Sequence, residues 1–348
     1  MLKVQNNRKN NNYENMKVKN TVSQVTEICL RIFGIWPNTS CVLLCRLFWT
    51  VSIMIEQVFQ YRYVVMNFQL IEFSEMMHIL GSTLTYTIFL IKLVIFWCKQ
   101  RTFNRILTMI AIDREKWSST KFSTFATCNA KLSQRFANMT VILYSTAVIF
   151  FSSKIFIKQA DDGKASNISA PLLILEMDLP FDANQRFVYE SVIIAQFVNL
   201  LLCADANCLL NALLINLILH IGGQIDILRE SLMEIFPERG KCSSDHFMVK
   251  EIIQKHQKII VFSEHIEDLY SYIALVMFVT DTLIICCLGF TIVASVGQPD
   301  ALKSITKNVL FYVVINMEAF VFCFAGEYLI AKVRHWYILF TINKQNIT

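Results

Sequence analysis

Six apolar stretches, about residues 41–66, 74–98, 137–157, 189–222, 266–297 and 306–330, are each long enough to cross a bilayer, which takes roughly 20 mostly apolar residues. Lys and Arg are divided unevenly between the segments that join them. Residues 1–40, 99–136, 223–265 and 331–348 hold 6, 8, 6 and 3 basic residues, whereas 67–73, 158–188 and 298–307 hold 0, 3 and 2. The positive-inside rule then puts the amino terminus in the cytoplasm. A hydrophobic fraction of 55% with 17% charge and nine glycines fits a helical bundle better than a soluble α/β domain. The expected fold is all-α, a polytopic transmembrane helical bundle of six spans with inverted, N-in topology.

The connecting segments fill in the plan. Residues 1–40 form a cytoplasmic segment whose first twenty residues, rich in Asn and Lys, contain no apolar core of a signal peptide. Residues 41–330 form the bundle, and residues 331–348 an atypical short tail. The net charge of +5 falls mainly on the cytoplasmic loops, where it meets anionic lipid and gives no reason to expect nucleic acid. Phe33-Gly34-Ile35-Trp36-Pro37 reads as an apolar knot suited to the membrane–water interface. Residues 158–188 form the one large outer loop, which is acidic and carries the glycosylation sequon Asn167-Ile168-Ser169. None of the eleven cysteines lies in an outer loop, so no disulfide framework is expected on the oxidising face. Spans four and five exceed the membrane's thickness, and their helical patterns run on through Arg229 and back from Val249. Two long helix extensions joined within 223–265 should therefore pack together in the cytoplasm as an assembly platform.

Several polar residues fall at membrane depth: Glu56 in span one, Asp205 and Asn207 in span four, Asp281 in span five, and Asn316 and Glu318 in span six. Buried ionisable groups are costly in lipid and mark either a functional path or hydrogen bonding between helices. Arg46, Arg62, Lys92 and Lys154 lie toward span ends, where long basic side chains snorkel to the interface. No metalloprotease, nucleophile-elbow or P-loop motif is present, and the six histidines are scattered. The reading is a non-enzyme with no cofactor and no metal.

Four ordered motifs then resemble the insect odorant receptor family. They are Leu30-Arg31-Ile32-Phe33-Gly34-Ile35-Trp36-Pro37 before span one and Leu219-His220-Ile221-Gly222-Gly223-Gln224-Ile225-Asp226-Ile227-Leu228 at the exit of span four. The others are His256-Gln257-Lys258 with Glu264-His265-Ile266-Glu267-Asp268-Leu269-Tyr270 entering span five, and Cys323-Phe324-Ala325-Gly326-Glu327-Tyr328-Leu329 leaving span six. The resemblance covers about residues 20–332. It implies a ligand-gated cation channel subunit of the sensory-neuron plasma membrane, assembled with a shared co-receptor subunit into a heterotetramer. It also implies a volatile small-molecule ligand bound in the outer half of the bundle, among spans two, three, four and six. On this chain those outer halves offer Met76, Met77, His78, Ser82, Phe151, Tyr189, Gln196, Phe197, Phe311 and Tyr312.

The family's pattern includes a seventh, pore-lining span, and the apolar run Trp336–Ile342 is too short to be one. The tail after Lys332 reads as translated intron. Alternative readings are a gustatory-type receptor of the same architecture, a secondary transporter using Asp205, Asp281 and Glu318, or a non-functional or modulatory truncated isoform. The absence of internal repeats and of Gly- or Pro-broken helices counts against the transporter.

Overall fold

The computed structural model describes residues 24–37, 41–69, 71–118, 123–162, 173–180, 185–235, 246–297 and 301–345. Asn167 lies outside them. Among the described residues the regular structure is helical: α1 Gln24–Ile32, α2 Val42–Asn67, α3 Phe73–Cys98, α4 Gln100–Ser118, α5 Ser123–Asp162, α6 Arg186–Ile235, α7 His246–Ala294 and α8 Ala301–Gln345. Six of these, α2, α3 and α5 to α8, are long and apolar enough to cross a membrane. They coincide with the six stretches in the sequence.

Helix α6 is the axis of the bundle, running beside α5, α7 and α8 and touching α1 and α3. From Ala206 to Leu228 only Asn216 and Asp226 escape full burial, as expected of a helix that is apolar on all sides. Helix α2 is the opposite case. It buries one stripe, Trp49, Ile53, Gln57 and Gln60, and leaves Leu43, Leu47, Phe48, Val51 and Met54 exposed, a face suited to lipid. The segment 99–136, read as a loop, is helical where it is described: Gln100–Ser118 forms α4 and residues 123–136 the first turns of α5, and α4 packs on α7.

Helices α6 and α7, at 50 and 49 residues, run past any bilayer as their sequence implied. Helices α5 and α8, at 40 and 45 residues, do so as well. Beyond residue 330, α8 continues to Gln345, and the Trp336 ring stacks on His256 of α7 at 4.8 Å. Near this end Asp113 of α4 accepts from Lys258 of α7 and Gln224 of α6, with His220 3.4 Å away. Burial pushes the Asp113 carboxyl up, but hydrogen bonds and charge from His220 and Lys258 outweigh it and hold the carboxyl below its ordinary range.

The Phe33–Pro37 knot, expected at the membrane–water interface, packs against the helices beside it. It docks inward, with Phe33, Ile35 and Trp36 fully buried. Phe33 stacks on Trp49 at 4.2 Å, and the indoles of Trp49 and Trp97 donate to the carbonyls of Ile32 and Phe33. The turn requires Gly34 at φ +65°, where a Cβ would meet the Arg46 side chain at 3.2 Å and the Val42 carbonyl at 3.3 Å.

Candidate functional site

Four helices each contribute one stripe at i, i+3, i+4 and i+7 to a common hollow. They are Ser82, Thr85, Tyr86 and Phe89 of α3; Tyr144, Ala147, Val148 and Phe151 of α5; Leu200, Cys203, Ala204 and Asn207 of α6; and Phe311, Val314, Ile315 and Glu318 of α8. Leu175, from the irregular segment 173–180, completes the wall. The spacing is what a helix needs to present one face inward over two turns, a depth of about 10 Å. The hollow has a volume of about 90 Å³, and its wall is mostly apolar with a few polar groups, as in small-ligand pockets.

The two ends of each stripe differ. Ser82, Leu200, Phe311 and Phe151 lie at the end nearest segment 173–180, which the bundle holds firmly. Gln196 accepts from the Ile174 amide at 3.1 Å and donates to the Leu175 carbonyl at 3.3 Å. Asp178 pairs with Arg62 at 2.7 Å, and its amide donates to the Phe59 carbonyl. At the other end, Phe89, Tyr144, Asn207 and Glu318 form a floor backed by Lys92.

Lys92 is the main correction to the sequence reading. It does not snorkel; it is 2% exposed and forms an ion pair with Glu318, itself 2% exposed. Lys92 Nζ also donates to Asn207 Oδ1 at 2.8 Å and to Asn211 Oδ1 at 3.3 Å. Asn207 Nδ2 donates to the second Glu318 oxygen at 2.9 Å, and the Tyr144 hydroxyl lies 3.5 Å from it. A buried charge survives only when paired and hydrogen-bonded, and the network that satisfies this pair draws on α3, α5, α6 and α8. Both carboxylate oxygens are thus engaged within the protein, so Glu318 brings no unpaired charge to the cavity.

The other basic residues separate by environment. Arg46 donates to the Gly34 carbonyl and to Gln100, and Arg62 to Asp178; the Lys154 side chain lies outside the described residues.

Of the residues singled out in the sequence, Ser82, Phe151, Phe311, Asn207 and Glu318 line the cavity together. His78 stands just beyond it, stacked on Phe151 at 5.5 Å. Gln196 is the clamp on segment 173–180, and Tyr189 and Phe197 pack against the main core. Tyr312 packs against Ile284, Leu288 and Ile315. Met76 and Met77 are half-buried on α3, away from the cavity wall. Asp205 accepts from Ser145 of α5 at 3.0 Å, and Asn316 bonds the Tyr312 carbonyl of its own helix. Asp281 feels the charges of Glu318 and Lys92, and the Glu56 carboxylate is approached by Asn199. Thr85, Tyr86, Phe89, Tyr144, Ala147, Cys203 and Ala204 were missed. Extending a helical stripe one heptad inward from Ser82 and Phe311, and backward from Phe151, would have found most of them.

The comparisons with known proteins agree on a single family. A family model described as the 7tm odorant receptor matches residues 72–334. The fold is similar to the insect olfactory receptor OR5 from Machilis hrabei, with a TM-score of 0.65 at 15% identity over 90% of this chain and 80% of that one. The same receptor in complex with eugenol gives a TM-score of 0.65 at 16% identity over 87% and 78%. No curated protein matches. With its family model spanning well over half its length, this chain belongs to the seven-transmembrane odorant receptor family.

Proposed function

We propose that the chain is an odour-binding subunit that holds a small, neutral, largely apolar volatile molecule in the cavity between α3, α5, α6 and α8. It acts with a shared co-receptor subunit to gate a cation conductance in the plasma membrane of sensory neurons. The observation that carries this is the cavity itself: four helical stripes converge on one largely apolar hollow in a member of an odorant receptor family. The pairing of Glu318 with Lys92 favours neutral ligands over amines or acids, because a charged guest would find no free counter-charge there. The eugenol complex of the Machilis hrabei receptor offers a neutral molecule to begin a screen. The excess of Lys and Arg on alternate segments supports an N-in orientation, with segment 173–180 on the outer face.

The test is co-expression with an insect odorant co-receptor and a panel of neutral volatiles that includes eugenol. The proposal expects ligand-evoked cation current that Ala147→Trp, which fills the cavity, removes at unchanged surface expression. Evoked current indifferent to Ala147→Trp would refute the cavity as the site, and saturable uptake of the volatile without current would favour a transporter.

A further inference from the structure

A second and larger hollow, about 430 Å³, adjoins the cavity at the end nearest segment 173–180. Its character is different. Glu72 just before α3, Glu75 of α3, Glu176 of the irregular segment, and Ser304, Lys307 and Asn308 of α8 make its wall polar. The two hollows share just three lining residues: Ser82, Phe151 and Leu175. These form a neck between a polar chamber and an apolar one.

Two sides of the neck are fixed. The Ser82 hydroxyl donates to the Ile79 carbonyl at 2.9 Å, and Leu175 is fully buried with its carbonyl held by Gln196. The third side is one aromatic ring that is only half-buried. Phe151 is stacked on His78, faces Lys307 Nζ at 4.1 Å from its centroid, and meets the edge of Phe311 at 6.2 Å. Contacts with a cation and with neighbouring rings favour one placement of an aromatic side chain without locking it. Rotation of half-buried side chains is fast compared with helix movement.

From this arrangement we infer that ligand reaches the cavity from the polar vestibule, and that Phe151 is the gate it must displace. The inference rests on the reading of the inner cavity as the ligand site and of segment 173–180 as facing outward. The route follows from chemistry: a neutral odorant arriving in water passes through a polar chamber and is then taken up by an apolar one. Each time the gate opens, the His78 and Lys307 contacts with the ring are given up and afterwards regained. A gate of this kind sets rates of entry and exit equally, and so alters timing without altering affinity.

The experiment uses the chain in lipid nanodiscs and tritiated eugenol as the probe. Ser295 lines the vestibule and has no part in the cavity wall. Ser295→Cys is labelled with benzyl methanethiosulfonate, and wild type treated identically controls for the native cysteines. The unlabelled variant must bind at wild-type rates, which establishes its fold. The expected result is that labelling slows association and dissociation together by at least about tenfold while Kd stays within about twofold. Unchanged rates would overturn the inference and point to lateral entry from the bilayer. Lost equilibrium binding with an unchanged dissociation rate would also overturn it, by making the vestibule itself the binding site. If Ala147→Trp binds eugenol as wild type does, the underlying cavity reading fails, an outcome separable from the other two.

Discussion

Lys92 carries more energetic consequence than any other residue near the cavity, because its charge lies where lipid and protein exclude water. Removing one partner of a buried ion pair typically costs about 3–5 kcal/mol, whereas replacing both by uncharged groups is often nearly neutral. Lys92→Met is therefore expected to lower the unfolding temperature of the chain in nanodiscs sharply. The double variant Lys92→Met with Glu318→Gln should recover more than half of that loss, since an amide can still bond Asn207 and Tyr144. A double variant no more stable than the single one would show that the pair is not the reason for the loss.

A second residue-scale prediction concerns Gly222, where an added Cβ would stand 2.6 Å from the Tyr328 ring of α8. Gly222→Ala should destabilise by about 1–3 kcal/mol, the usual cost of overpacking. Combining it with Tyr328→Leu should relieve part of the strain, measured by the same thermal unfolding.

At the level of elements, the junction of α4, α6 and α7 around Asp113 governs how the extended helices stay together. The carboxyl is held below its ordinary 3.8 by its partners, after burial has pushed it the other way. A depressed carboxylate stabilises the fold fully above the unfolded value and loses that contribution as pH falls through the folded one. Unfolding temperature should thus be insensitive to this group from neutral pH down to about 4 and fall only below that. Asp113→Asn should lower it at pH 7 and make progressively less difference as pH falls below about 4. A wild-type transition near pH 6 that Asp113→Asn abolishes would contradict this.

How much of the elements could be read beforehand follows the same physics. The six spans were legible because apolar runs of that length have one structural solution in lipid. The long α6 and α7 were legible because their patterning continued past the membrane. Helices α4 and the front of α5 were not, because a polar segment such as Gln100–Ser118 carries no hydropathy signal and is ordered by packing on α7. The inward docking of Phe33–Pro37 was hidden for a related reason. An apolar knot does not say which side chains will cover it, and here the Trp49 and Trp97 indoles bond the carbonyls of Ile32 and Phe33.

For the whole molecule, the account comes down to one cavity. Ser82, Phe151 and Phe311 could be named from span order and the family resemblance, whereas Tyr86, Tyr144 and Ala147 depended on helix rotation, which hydropathy does not set. Lys92 was misread because distance from a span end says nothing about the Glu318 that awaits it across the bundle. The most direct measurement is photoaffinity mapping with a diazirine analogue of eugenol on the chain in nanodiscs. The account predicts adducts on cavity-wall residues of α3, α5, α6 and α8, such as Ala147, Ala204 and Val314, which excess eugenol suppresses. Labelling confined to the exposed face of α2, or to vestibule residues such as Ser304 and Asn308, would contradict it.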